Sequence, residues 1–435
     1  MITEQNVPRR AIVSWVLYDL ANTIFSMGVV SLYFSLFVRN EVGTDRADST
    51  YGLISAISMG LIFVLSPVLG AMTDRARRRM PFLVGATLIC VIATALIGTG
   101  SFALSVALFI LANAAYQAGV QFYDSLLPEV THAGNRGRIS GIGVGVGYLG
   151  SYLAVGAGFL VSPDNHQALF GLLAGAFLLF AIPCFLFVHE RGNPSPRPVF
   201  SLAAVRDSLR ETIRTMRATQ EYPGLARFLV GRVFYTDAIN TVIAYMGLYT
   251  VNVALATGLT AEAGRAQAQL VLMSAITFSV AGGFVWGRAV DRVGPKRTLE
   301  SVLMLWIVVF ALAAAVGAFA WPIIWLYVVA ALAGVALGGI WSADRPYMLH
   351  LSPPARIGEF YGLYGMVGRF SAITGPLLWA AIVYVAIEWN GLTPLTGQAL
   401  AIVSLLVMII VGYTILRRIQ IPSPLGATQG IQPRR

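Results

Sequence analysis

Gly70-Ala-Met-Thr-Asp74-Arg75-Ala-Arg77-Arg78-Arg79 and Gly287-Arg-Ala-Val-Asp291-Arg292-Val-Gly294-Pro295-Lys296-Arg297 write one short pattern twice, 217 positions apart. Each copy follows an apolar run of about 20 residues, long enough to cross a ~30 Å hydrocarbon core. Other pairs recur at the same offset or one more. Asp19-x-x-Asn22 returns as Asp237-x-x-Asn240, and Pro128 and His132 return as Pro346 and His350. Similarity at a constant offset marks a duplicated structural unit. Working outward from the two loops, apolar spans fall near 11–38, 51–72, 81–99, 102–127, 139–161, 168–188, 225–251, 267–289, 299–319, 321–344, 358–386 and 396–416. The composition agrees, with 57% hydrophobic residues, 11% charged and a mean hydropathy of +0.73. An ordinary soluble domain carries about a quarter charged residues, so that class is excluded. A transmembrane β-barrel is excluded too, since its strands alternate over about ten residues while these runs are continuously apolar. The expectation is an all-α membrane protein of 12 transmembrane helices in two six-helix halves.

The net charge of +10 is distributed by topology. Of the 30 basic residues, 24 lie in the tails or in the loops after even-numbered spans, counting Arg288 at the edge of its span; Arg39, Arg46 and Arg265 lie in the opposite loops. This is the positive-inside bias, which places both termini in the cytoplasm. Nucleic-acid binding is not expected, because the charge gathers on no compact surface. The halves are expected at 1–188 and 225–416, with a polar linker at 189–224 and a cytoplasmic tail at 417–435. In the linker, Leu202, Val205, Leu209, Ile213 and Met216 share one helical face and Arg206, Arg210, Arg214 and Arg217 another, the pattern of an interfacial amphipathic helix. Cys90 and Cys184 fall inside spans and read as small core residues. The first span is too long for a signal-peptide core. Lys296 is the only lysine, a usage suggestive of a GC-rich prokaryote, so a multi-pass protein of the bacterial inner membrane is expected.

Two parallel six-span repeats related by an axis along the membrane normal are the architecture of the major facilitator superfamily. The doubled G-x-x-x-D-R loop resembles the signature loop of that superfamily, and the second copy matches it at nearly every position. An Asp at the cytoplasmic end of a span can accept from helix N-termini of the opposite half, while the arginines meet anionic headgroups. Gly70, Asp74, Arg75, Gly287, Asp291, Arg292 and Arg345 are therefore the candidate cytoplasmic gate, with Asp74 and Asp291 as latches.

Asp19 and Asp237 stand well inside spans, where an ionised Asp costs about 2.5–3.5 kcal/mol on insertion scales. The i, i+3 spacing puts Asn22 and Asn240 on the same helical faces, with Thr23 and Thr241 alongside. Symmetry would turn both faces to a central cavity. Burial favours the neutral form of a carboxyl, which suits a group that binds and releases a proton. Arg369 lies about eleven residues into its span and needs an anion: a substrate carboxylate or phosphate held bidentately, or one of the two aspartates as a fixed ion pair. Arg232, nearer the end of its span, is expected to snorkel. Asp124, Asp344 and Arg345 read as polar groups of the gate. Candidate substrate and coupling residues are thus Asp19, Asn22, Asp237, Asn240 and Arg369.

Gly145-x-Gly147-x-x-Gly150 matches a dinucleotide fingerprint but sits within an apolar helix, where small residues serve close packing. No metal-ligand spacing, nucleophile elbow or phosphate loop is present, so neither a cofactor nor an enzyme is expected. Three further stretches narrow the resemblance: Trp15-x-x-Tyr18-Asp19-x-Ala21-Asn22; Phe122-Tyr123-Asp124-x-x-Leu127-Pro128 with Arg136-Gly-Arg-Ile-Ser-Gly141; and Glu359-Phe-Tyr-Gly-Leu-Tyr364 with Gly368-Arg369 and Gly375-Pro-Leu-Leu378. Together they resemble the fungal vacuolar amino-acid effluxer family and its bacterial relatives. That resemblance implies secondary transport driven by an ion gradient, with amino acids moved in the fungal members. The chain departs from the family at Asp124 (usually Asn), at Arg369 (where Lys is expected) and at Trp341-Ser-Ala-Asp344, so substrate identity does not carry over. The expected function is alternating-access transport of a small solute, an amino acid or other small carboxylate, by a monomer in the bilayer. The coupling ion is expected to be a proton. A sodium-coupled sugar symporter of the glycoside type, or a non-transporting receptor or scaffold of the same fold, is the alternative.

Overall fold

The computed structural model describes residues 7–161, 165–197, 206, 207, 210 and 224–419. Among the described residues, twelve helices longer than one turn follow one another: α1 Arg9–Val42, α2 Thr44–Arg75, α3 Met80–Ala95, α4 Phe102–Ser125, α5 Arg136–Leu160, α6 His166–Phe187, α7 Leu225–Ala256, α8 Ala261–Val293, α9 Pro295–Ala318, α10 Ile324–Leu351, α11 Ile357–Trp389 and α12 Pro394–Arg417. Eleven are long and apolar enough to cross a membrane, and α3 is a shorter apolar helix in the place of the third span. The helical content follows from the solvent: in hydrocarbon every backbone N–H and C=O must be satisfied within the segment. Large apolar side chains such as Val64, Leu179, Leu186 and Leu377 are exposed on the outside, the surface lipid would cover. Of the expected amphipathic linker helix, Leu202, Val205, Leu209, Ile213, Met216, Arg214 and Arg217 lie outside the described residues, as does the tail beyond Ile419.

Caps of a helix's own occur at one face only, on four of the six helices that start there. At the face opposite the arginine-rich loops, α4, α6, α8 and α12 begin with their own caps. Ser101, Asn165, Thr260 and Thr393 accept from Leu104, Ala168, Ala263 and Thr396 backbone N–H groups at 3.1–3.3 Å. Such caps satisfy donors that the first turn leaves open. At the basic face, α3, α5 and α11 carry no side-chain cap of their own. Each is served instead by a carboxylate from elsewhere in the chain. For α3 that group is Glu190, which accepts from Arg79 N at 2.6 Å and Met80 N at 3.0 Å.

The two halves meet along α2–α11 and α5–α8. The α5–α8 contact is close because both helices present glycine. A side chain on Gly141 would run into the backbone of Gly283 and Gly287, and one on Gly283 into that of Gly141 and Gly145. Backbones can approach to this extent only where no Cβ intervenes. Further along, Tyr152 and Thr277 hydroxyls bond at 2.6 Å. Along α2–α11, Gly70 lies against Gly358, Ser66 donates to the Gly362 carbonyl at 3.0 Å, and the Phe63 and Phe370 rings sit 6.4 Å apart. Residues Ile24–Tyr33 of α1 form a π-helical stretch, with the Ser31 hydroxyl bonded to the Ser26 carbonyl.

Candidate functional site

Asp74, at the end of α2, places Oδ1 2.8 Å from Gly358 N and Oδ2 2.7 Å from Glu359 N, at the start of α11. Asp291, at the end of α8, places Oδ1 2.7 Å from Gly137 N and Oδ2 2.9 Å from Arg138 N, at the start of α5. Each carboxylate therefore caps a helix of the opposite half, where the unbonded N–H groups and the helix dipole both favour an anion. The copies differ in support. Asp74 also takes Arg79 Nη2 at 2.8 Å, and its own carbonyl accepts from Asn193 at 2.8 Å. Of the other expected gate residues, Gly70 and Gly287 lie in the two glycine contacts, Arg75 reaches Asp207 at 3.9 Å, and Arg292 is exposed. Just outside the spans, burial pushes the Glu190 carboxyl above its ordinary value, while the Met80 N–H it accepts pulls the other way.

Deeper in, the structure builds a charge cluster that sequence symmetry did not suggest. Neighbouring residues of α10 point to opposite halves. Arg345 crosses the interface and takes Asp19 of α1 with two nitrogens, at 3.0 and 3.3 Å, and Asp124 of α4 with Nε at 3.0 Å. Its carbonyl accepts from Tyr361 at 3.0 Å. Asp344 stays within its own half, taking Arg232 Nε at 2.9 Å, Tyr235 at 2.5 Å and Tyr364 at 2.8 Å. Arg232 also donates to the Tyr364 carbonyl, and its guanidinium lies 3.6 Å from the centre of that ring. The expectation that Arg232 would snorkel is corrected: it is 3% exposed, because Asp344 and an aromatic face supply what water would have supplied. Asp19, Asp124 and Asp344 are buried, and Arg345 is nearly so, in one layer that includes the expected gate groups.

The two aspartates expected to act alike do not. Asp19 is held by Arg345, so it does not turn a free carboxylate to a cavity. Asp237 has no basic partner among the described residues; Oδ2 accepts from the Thr374 hydroxyl of α11 at 2.7 Å. Thr241 Oγ1 is buried beside it without a hydrogen-bond partner among the described residues. Gly375 is required there, since a side chain on it would collide with Thr241 and Asp237. Asn22 is 5% exposed with neither side-chain atom bonded, and Asn240 is half-buried.

Arg369 pairs with neither aspartate, which rules out the fixed ion pair. It crosses from α11 to the first half, giving Nη1 to Ser66 Oγ at 2.8 Å and Nη2 to the Gln117 carbonyl at 2.7 Å. It is 5% exposed, and its Nε–H has no partner among the described residues. Among the described residues, this guanidinium therefore holds only neutral acceptors. The Gly145 to Gly150 stretch packs as expected, Gly145 on Val280 and Phe284 of α8 and Gly150 on the Leu20 carbonyl of α1.

Comparison with known proteins agrees with this architecture. Two solved structures, the human organic anion transporter MFSD10 and a bacterial homologue of the iron transporter ferroportin in an outward-facing state, superpose with TM-scores of 0.67 each. They cover 96% and 95% of this chain and 100% and 99% of their own, at 16% and 14% identity, so they establish the major facilitator fold. An uncharacterized MFS-type transporter, YxiO of Bacillus subtilis, is 27% identical over 426 residues, 93% of each chain. Autophagy-related protein 22 of Yarrowia lipolytica is 26% identical over 307 residues, 62% of this chain and 49% of that one. The family model described as vacuole effluxer Atg22 like matches residues 42–419, and the chain accordingly belongs to the Atg22-like family of MFS-type membrane transporters.

Proposed function

We propose that this transporter carries a small solute bearing a carboxylate, an amino acid or a related acid, by alternating access and at the expense of a proton gradient. The observation that carries the reading is Arg369: a buried guanidinium at the junction of the halves, bonded to a hydroxyl and a carbonyl and matched by no carboxylate among the described residues. Burying a guanidinium without a counter-charge costs several kcal/mol, and a carboxylate delivered by the substrate would recover that cost. Asn22, Asp237 and Asn240 supply amide and carboxylate groups toward an ammonium or hydroxyl, whereas Asp19 is engaged elsewhere. Asp74 and Asp291 act as latches: each carboxylate–helix contact must break when the basic face opens, so the described arrangement is the one shut at that face. The basic face lies in the cytoplasm by the charge bias of the loops, in a bacterial plasma membrane.

The test is flux in sealed proteoliposomes. Pooled amino acids and small carboxylates are offered under an inward proton gradient, with sodium replaced by choline, to the wild type and to Arg369→Gln. Accumulation that collapses with the gradient, and falls at least about tenfold in the variant, is the expected result. Sodium-dependent sugar uptake with no response to carboxylates would overturn the reading.

A further inference from the structure

We propose that Asp19, Asp124 and Arg345 form the proton-binding element of the transport cycle, holding one proton while the basic face is shut and releasing it when the halves part there. This rests on the reading of the protein as a proton-coupled transporter and locates the proton away from Asp237.

The geometry poses a charge problem. One guanidinium from the second half is shared by two carboxylates of the first, at 3.0–3.3 Å, and Asp19 and Asp124 are 5% and 4% exposed. With both carboxylates ionised the cluster is a buried net negative charge. A proton on one carboxyl oxygen makes it neutral while leaving the other paired with Arg345. Because Arg345 sits on α10 and its partners on α1 and α4, opening the basic face pulls the cluster apart and admits water. Each charge is then solvated separately and the proton has no further reason to stay.

The surroundings decide how strongly this acts. The groups facing the cluster are Tyr116 and Tyr123 from α4, Tyr148 from α5, Tyr361 and Tyr364 from α11, and the Arg232–Asp344 pair, which is neutral in itself. Among the described residues, Arg369 is a further buried cation near Asp124.

The experiment needs no substrate. Nitroxides are placed across the basic face by Arg78→Cys and Val293→Cys, both exposed, in the full-length protein in nanodiscs; the native Cys90 and Cys184 are buried. Pulsed electron-spin distances are then measured from pH 8 to pH 5. Linkage to one proton permits up to about tenfold per pH unit, and the ratio of shut to open populations should rise at least about fivefold over the range. Asp124→Asn, which mimics the protonated group, should stay shut at pH 8 and lose the pH response; Asp19→Asn is the second variant should the first not fold. Asp291→Asn should shift the population toward open yet keep the pH response. Loss of the response in either cluster variant supports the proposal. A wild type whose populations ignore pH, or cluster variants that both respond as the wild type does, would overturn it. Failure of the transporter reading would show separately, as absence of solute flux in the liposome assay.

Discussion

Asp19 and Asp237 occupy equivalent places in the two repeats, each followed by Asn at the third position, yet they live in different chemistry. Asp19 shares Arg345 with Asp124 in a bridge between the halves, while Asp237 has one threonine hydroxyl across the α7–α11 contact. The duplication set both carboxylates into the membrane. The partner was decided by one residue of α10, Arg345, whose guanidinium turns to the carboxylates of the first half. A symmetric sequence can therefore yield one carboxylate committed to tying the halves together and one left beside unbonded oxygens.

The sharpest way to break this comparison is to remove the shared cation. Arg345→Gln leaves two buried carboxylates unpaired and should cost about 3–5 kcal/mol, read as a large loss of thermal stability in detergent. Asp237→Asn should cost less, since a hydroxyl hydrogen bond and no ion pair is at stake, while still reducing solute flux. Equal losses in the two variants would erase the distinction drawn here.

Next in size come the latches, where the two copies again differ. Asp74 serves two backbone N–H groups and Arg79, and Asp291 serves two backbone N–H groups. Charge-assisted bonds are worth roughly 1.5–3 kcal/mol each, and each latch makes two of them across the halves while Arg79 lies in the same half as Asp74, so Asp74→Asn and Asp291→Asn should open the basic face to about the same extent. Labels at positions 78 and 293 would compare the two directly, and a larger opening for Asp74→Asn would mean that Arg79 strengthens its latch from within its own half. Gly283→Ala is expected to cost about 1–3 kcal/mol by forcing α5 and α8 apart, and to favour the open state in the same measurement.

The smallest expected effect concerns the third carboxylate cap, which stays within one half. Glu190 caps α3, and its carboxyl is raised above the usual range by burial. For a group raised in the folded state, its stabilising contribution is present below the unfolded value and is lost as pH rises through the folded one. Glu190→Gln should therefore flatten a shallow fall in stability on the alkaline side of the usual carboxylate range. It should leave the shut-to-open ratio untouched, because no contact between halves is involved; a change in that ratio would show that Glu190 communicates with the latches.

Much of the fold was legible because the bilayer allows few solutions. Apolar runs of about 20 residues must be helices, the loop charges orient them, and the constant offset pairs them into halves. The positions of Asp74 and Asp291 were legible for a local reason, an acid at a helix end amid arginines, occurring twice. Arg232 was misread because depth along a span was weighed without its neighbours: Asp344 and the Tyr364 ring arrive from more than a hundred residues away. Asp124 was undervalued for the same reason, since it lies near the end of α4 and gains its meaning only from Arg345.

What the sequence determined by itself was periodic or additive: hydropathy, charge bias, repeat offset and residue types incompatible with hydrocarbon. These depend on counts along the chain, and the membrane reads them almost one segment at a time. What only the tertiary structure decided was pairing. Which buried acid meets which base depends on helix rotation and on angles of a few tens of degrees about each axis. At 3 Å, the direction of one guanidinium separates a bridge from an unmatched charge, and such directions exist only once the twelve helices are packed.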